Sequence, residues 1–249
     1  GIIVNNAGTG STQVTATGKV RATTGTGIYA QNQIGAGDMA VSAQNVVGNN
    51  TGVFVRNNGT GLTTVTVSGS ATGGANGNGV FALAGPTTTG GLTVNVSSAS
   101  GGVHAIYAEN KGGGATTVSA SGSLTGQLNT SNGLYAIADT SSTSLTVSAA
   151  DITVGRNGLY AENKGSGATN VSVTGAVQSG STGIDVLNRN PSSTDLYVTA
   201  TSVAAQGDNG IRARNFGAGE LGVTATGAVS GNVYGINAQG GGGGQVRIT

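Results

Sequence analysis

The chain is 249 residues long, with 48 glycines, no cysteine or tryptophan, 8% charged residues and a net charge of +1. Ten scattered Lys and Arg form no basic surface for nucleic acid, the lack of cysteine excludes a disulfide framework or zinc-finger chemistry, and no run of about 18 apolar residues offers a membrane helix. Gly, Ser, Thr, Asn and Val are poor helix formers, while low net charge and abundant β-branched residues set the chain apart from disordered sequences, so strand and turn are predicted throughout.

The first predicted element is the phrase Gly, aliphatic, variable, Ala or Val, which reads GIIV at Gly1. It returns as GIYA at Gly27, GVFV at Gly52, GVFA at Gly79, AIYA at Ala105, GLYA at Gly133 and Gly158, GIDV at Gly183, GIRA at Gly210 and GINA at Gly235. The nine intervals lie between 25 and 28 residues and average 26. Apolar alternation at period two marks a strand with one buried face, so the second and fourth positions, such as Ile28 and Ala30, are expected to point inward. A second alternation follows in each unit, as at Val14 and Ala16, Val65 and Val67, or Leu145, Val147 and Ala149. A weaker third patch comes next, at Val20 and Ala22, Val46 and Val47, Ile152 and Val154, Ala176 and Val177, Val203, and Ala228 and Val229.

Three short strands per unit, joined by Gly, Asn and Ser turns, describe one coil of a solenoid. A propeller blade would need four strands and about 40 residues, and leucine-rich repeats would show a helical segment and a leucine framework. The expectation is therefore an all-β, single-stranded parallel β-helix of about ten coils of ~26 residues, forming one domain over residues 1–249 as a segment of a longer array. One coil cannot bury enough apolar surface to offset its ordering entropy, so stability must come from stacking on neighbours.

The closest copies are two units apart. YAENKGGGATTVSASG from Tyr107 and YAENKGSGATNVSVTG from Tyr160 share 12 of 16 positions. Units beginning at Gly1, Gly52, Ala105, Gly158 and Gly210 carry NxGxG, at Asn6, Asn57, Asn110, Asn163 and Asn215, followed by Gly18, Gly69, Gly122, Gly175 and Gly227. Alternate units lack that spacing, which predicts a super-repeat of unlike odd and even coils. Glycines at fixed offsets need positive φ or close backbone approach, so the odd coils are expected to have a tight corner and the even ones a looser, Ser/Thr-rich corner.

Asn occupies the sixth position of seven units, at Asn6, Asn32, Asn57, Asn110, Asn163, Asn188 and Asn215, where stacked amides can bond one another and the turn backbone. At the third position, expected to face outward, six consecutive units carry rings: Tyr29, Phe54, Phe81, Tyr107, Tyr135 and Tyr160. That row can stack on itself to pin register, or serve as a contact strip for sugar faces or a neighbouring rod. Outward Ser and Thr of the second strand, such as Thr15, Thr66 and Thr224, suggest an ice-binding array, but Asn95, Gln44 and Arg247 interrupt it.

Cleaving a glycosidic bond normally takes two carboxylates at a defined separation. Here only Glu109 and Glu162 share a position, two coils apart, and the remaining acids fall at differing places. His104 stands at a unit boundary with no recognisable triad spacing. GAGD at Gly35–Asp38 is a fragment of a calcium nonapeptide without the tandem copies that complete its ligand shell, and no phosphate-binding loop signature occurs. The sequence thus predicts no enzyme, cofactor or metal site.

The recurring GIYAxNxGxG…VTxxG phrases resemble the β-strand repeats of large Gram-negative surface proteins, the autotransporter passengers and filamentous-haemagglutinin-like adhesins. The resemblance covers the whole chain and implies secretion to the cell surface, a right-handed β-helix and a role as stalk or adhesin. Expected partners are neighbouring β-helix segments, copies of the chain stacked end to end, or glycans on a host surface, with neither nucleic acid nor membrane insertion involved.

Overall fold

A computed structural model describes residues 1–249 and contains strands and turns with no helix. Ten five- to seven-residue strands, from Ile2–Asn6 to Ile236–Gly240, pair in parallel as a ladder in chain order, one per coil. The anchor phrases lie in register: Ile28 pairs with Val53, Val53 with Val80 and Val80 with Ile106. A second parallel sheet begins with Thr12–Ala22 and ends with Val246–Ile248. The molecule is therefore a β-solenoid of about ten coils rising roughly 4.8 Å per coil.

Each of the first nine coils has three sides. The first is the anchor strand. The second and third are often one long strand, as in Met39–Gly48 or Thr169–Ser179, bent where the register shifts between Ala43 and Val46 or Val173 and Ala176. In the fifth, sixth and ninth coils the bend separates them, for example Ser144–Ala149 from Ile152–Val154. The three predicted alternations are these three sides. On the third side one row fills the core, Val46, Ala71, Ala99, Leu124, Ile152, Val177 and Val203, with Val154 of the sixth coil and Ala205 of the eighth buried two residues further on. Val47, Ala176 and Ala228, assigned to that patch from sequence, face outward; they follow or precede the inward residue by one, and strand side chains alternate.

Inward residues of all three sides form one continuous core of 48 buried side chains, almost all Ala, Val, Leu and Ile. Small residues recur because the three walls are close together. Odd and even coils build this interior differently. After the first side, an odd coil reaches the second in six positions, Asn57 to Thr63 or Asn163 to Thr169. The second, fourth, sixth and eighth coils take seven or eight, as from Ala138 to Leu145 or Asn188 to Leu196, whereas the tenth takes six, Gly240 to Val246. At the next bend the difference reverses: Val67 to Ala71 spans four positions, whereas Val96 to Ala99 spans three. The extra residue falls where the odd coils carry Gly18, Gly69, Gly122, Gly175 and Gly227.

The odd-coil glycines serve close approach. Positive φ occurs at Gly35, Gly91, Gly114 and Gly243, and Gly114 is the sole member of an NxGxG phrase among them. A Cβ on Gly59, Gly165 or Gly217 would lie 2.0–2.2 Å from the carbonyl oxygen of Ala36, Ser142 or Ser193 in the even coil beneath. Gly8, in the first coil, would meet no such carbonyl. Even coils return the contact through side chains: Asp38 Oδ1 accepts from the N–H of Leu62, Asp195 Oδ1 from Glu220, and Asn45 and Asp151 from Ser70 and Ala176 at the bend. Asp38 and Asp195 both immediately precede the second side, so they are equivalent despite differing offsets within their units; even corners vary in length and sequence counting hides the match.

Candidate functional site

The asparagines occupy an inner corner. Position six continues the inward alternation, and Asn32, Asn57, Asn110, Asn163, Asn188 and Asn215 are essentially inaccessible, with Asn6 half-buried in the first coil. In odd coils the side-chain oxygen accepts from the backbone two residues on, as Asn163 does from Gly165 at 2.9 Å, and the amide donates to Gly167 at 2.9 Å. These bonds satisfy turn groups that water cannot reach. A direct amide-to-amide bond joins Asn188 to Asn215 at 3.2 Å, and the row is interrupted at Ala84 and Ala138. Those interruptions leave a trace. Thr12 donates to Asn32 of the next coil at 2.6 Å and Thr169 to Asn188, but Thr63 and Thr116 face coils carrying alanine and their buried hydroxyls have no partner.

On the outer side of the first wall, Tyr29, Phe54, Phe81, Tyr107, Tyr135 and Tyr160 are half-buried and stack successively, with centroids 4.8, 4.8, 5.1, 5.6 and 4.4 Å apart and planes within 17° of parallel. The spacing follows the strand ladder, so each ring covers its neighbours' faces and its edge points to solvent. Tyr107 and Tyr160 donate to Glu109 and Glu162, two residues along the same strands, at 2.9 and 3.1 Å. Burial raises both phenols above the ordinary tyrosine value, and the adjoining glutamates add to the effect. Glu162 is nearly buried and is held by Arg189 at 2.6 Å, while Glu109 pairs with Lys111 at 3.6 Å.

His104, read from sequence as an isolated boundary residue, lies tilted against Tyr107 and Tyr135 with centroids 5.4 and 5.2 Å away. Burial, reinforced by the charge of Arg156, lowers its pKa from 6.5 to about 4, so the ring is neutral near pH 7. Its Nδ1 is buried without a hydrogen-bond partner. No spacing rule would have revealed this placement; its one sequence signal is that His104 is the single histidine of the chain.

Beside His104 opens a cleft of about 580 Å3, walled by the stacked tyrosines, by Asn132 and Thr130 of the turn that enters the sixth coil, and by Arg156, Asp185 and Arg212. Asp185 takes the next place in the row after Tyr160 and is nearly inaccessible. Arg212 clamps it through Nε and Nη2 at 3.0 and 2.6 Å, with Arg214 at 3.4 Å. The carboxylate bond raises the Arg212 pKa further. On the second wall, Thr15, Ser42, Thr66, Asn95, Ser119, Ser148, Ser172, Thr199 and Thr224 form an outward row above shallower depressions of about 260 and 230 Å3. The chain matches no protein-family model, no curated protein and no solved structure.

Proposed function

We propose that the chain is a non-catalytic structural rod of a bacterial extracellular adhesin or surface fibre. The observation that carries this reading is the recurrence of one cross-section: two parallel ladders and one core run along the stack, the corner glycines serve contacts between successive coils, and the buried asparagines satisfy the turns. Such a design converts added residues into added length. The resemblance of the GIYAxNxGxG phrases to passenger and filamentous-haemagglutinin-like repeats supports the extracellular setting. Neighbouring β-helical segments or further copies of the chain are natural partners, because an open strand edge templates parallel pairing.

The test is immunogold labelling of intact cells of the organism that makes the protein, with antibodies raised against the folded chain. Labels on projections outside unpermeabilised cells are expected. Labelling that appears solely after permeabilisation would contradict the proposal.

A further inference from the structure

Going beyond the rod, we propose that the cleft beside Tyr160 binds a carboxylate-bearing sugar, with Arg156 as the group that receives the carboxylate. The departures from the repeat gather here. The single histidine sits in the fifth coil; the longest interval, 28 residues, separates Ala105 from Gly133 and contains the turn that supplies Thr130; and Arg156 follows in the connection to the seventh coil. Local exceptions in an otherwise consistent sequence are where function is expected.

The chemistry of the wall selects the ligand class. Of the cleft's two arginines, Arg212 is committed to Asp185 and Asp208, whereas Arg156 is exposed and has neither a carboxylate within 4.0 Å nor a side-chain hydrogen bond. A guanidinium free of partners is suited to bidentate binding of a carboxylate. One such group favours a singly charged residue over a polyphosphate, which draws on several cations. The ring row stops at Tyr160, and because Asp185 follows it, no seventh ring covers that end of the stack. Tyr160, with Tyr107 and Tyr135, lines the cleft and offers apolar surface to the C–H groups of a sugar ring.

A neutral group completes the set. The side-chain amide of Asn157, on the cleft wall, has no protein acceptor. It suits a hydroxyl group, which needs donors and acceptors without charge. A volume of about 580 Å3 falls within the roughly 300–1,000 Å3 typical of small-ligand sites.

The experiment titrates the full chain with digalacturonate and with N-acetylneuraminate, followed by NMR of the His104 imidazole and the Asn132 and Asn157 side-chain amides. Cellobiose serves as the neutral sugar and acetate as the bare carboxylate. At least one acidic sugar is expected to shift these signals and to bind more tightly than cellobiose or acetate by about tenfold. Arg156→Gln, which removes no salt bridge or side-chain hydrogen bond, should weaken that binding by about tenfold, and Lys19→Gln should leave it unchanged. The proposal is overturned if neither acidic sugar moves these signals up to about 10 mM, if Arg156→Gln binds as well as the wild type, or if cellobiose or acetate matches the acidic sugars.

Discussion

Through the ninth coil, odd coils turn their first corner in fewer residues and spend one more at the second bend, while even coils do the reverse, and the two alternate. The difference teaches that the coil pair is the unit of packing. An odd corner fits because its glycine lies over an even-coil carbonyl, and an even corner contributes the carboxylate or amide oxygen that accepts an odd-coil N–H.

Substituting the glycine over an even-coil carbonyl attacks the pairing most directly. Gly165→Ala places a methyl 2.0 Å from the Ser142 oxygen and should cost about 3 kcal/mol, lowering the melting temperature by roughly 6–12 °C. Gly10→Ala, at an odd corner with nothing within 4 Å, should melt like the wild type. Circular dichroism melts compare an odd-corner glycine that has a coil beneath it with one in the first coil that has none, and equal melting temperatures would break the comparison.

Smaller effects sharpen it at the inner corner. Thr169→Val removes the donor to Asn188 and leaves a buried acceptor short of one bond, a loss of about 1–2 kcal/mol. Thr63→Val deletes a buried hydroxyl that has no partner, because the next coil carries Ala84, and should gain about 1 kcal/mol. Opposite signs for one substitution in two odd coils, read by denaturant unfolding, would show that the coil above decides its outcome.

The smallest effect at neutral pH belongs to the outer row. His104 has a folded pKa of about 4 against 6.5 in the unfolded chain, so it contributes no destabilisation above pH 6.5. Between 6.5 and 4 the unfolded chain takes up a proton that the folded chain refuses, and stability falls as pH drops. His104→Gln should remove that part of the pH dependence while changing stability little at pH 7. Unfolding profiles of both proteins over this window would contradict the assignment if they remained parallel.

Much of this architecture was legible in the sequence. Recurring Gly-aliphatic phrases located every first-side strand, and NxGxG separated odd from even coils, because short-range alternation and chain-length periodicity survive in a linear record. The third side was blurred, since one or two inward residues per coil carry too little pattern to tell Val46 from Val47. Equivalence of Asp38 with Asp195 was hidden by the variable even corners. The cleft was hidden for another reason: His104, Arg156, Asp185 and Arg212 come from four different coils and meet only when those coils stack.

The central claim is that the backbone returns to the same place once per ~26 residues, one strand spacing higher. Because the chain has no cysteine, spin labels can be introduced without background. Pulsed dipolar spectroscopy on the pairs Thr15→Cys with Ser119→Cys and Thr15→Cys with Thr199→Cys samples one outward row across four and seven coils. The account predicts separations of about 19 and 34 Å, in proportion to coil number; equal separations, or a shorter distance for the seven-coil pair, would contradict it.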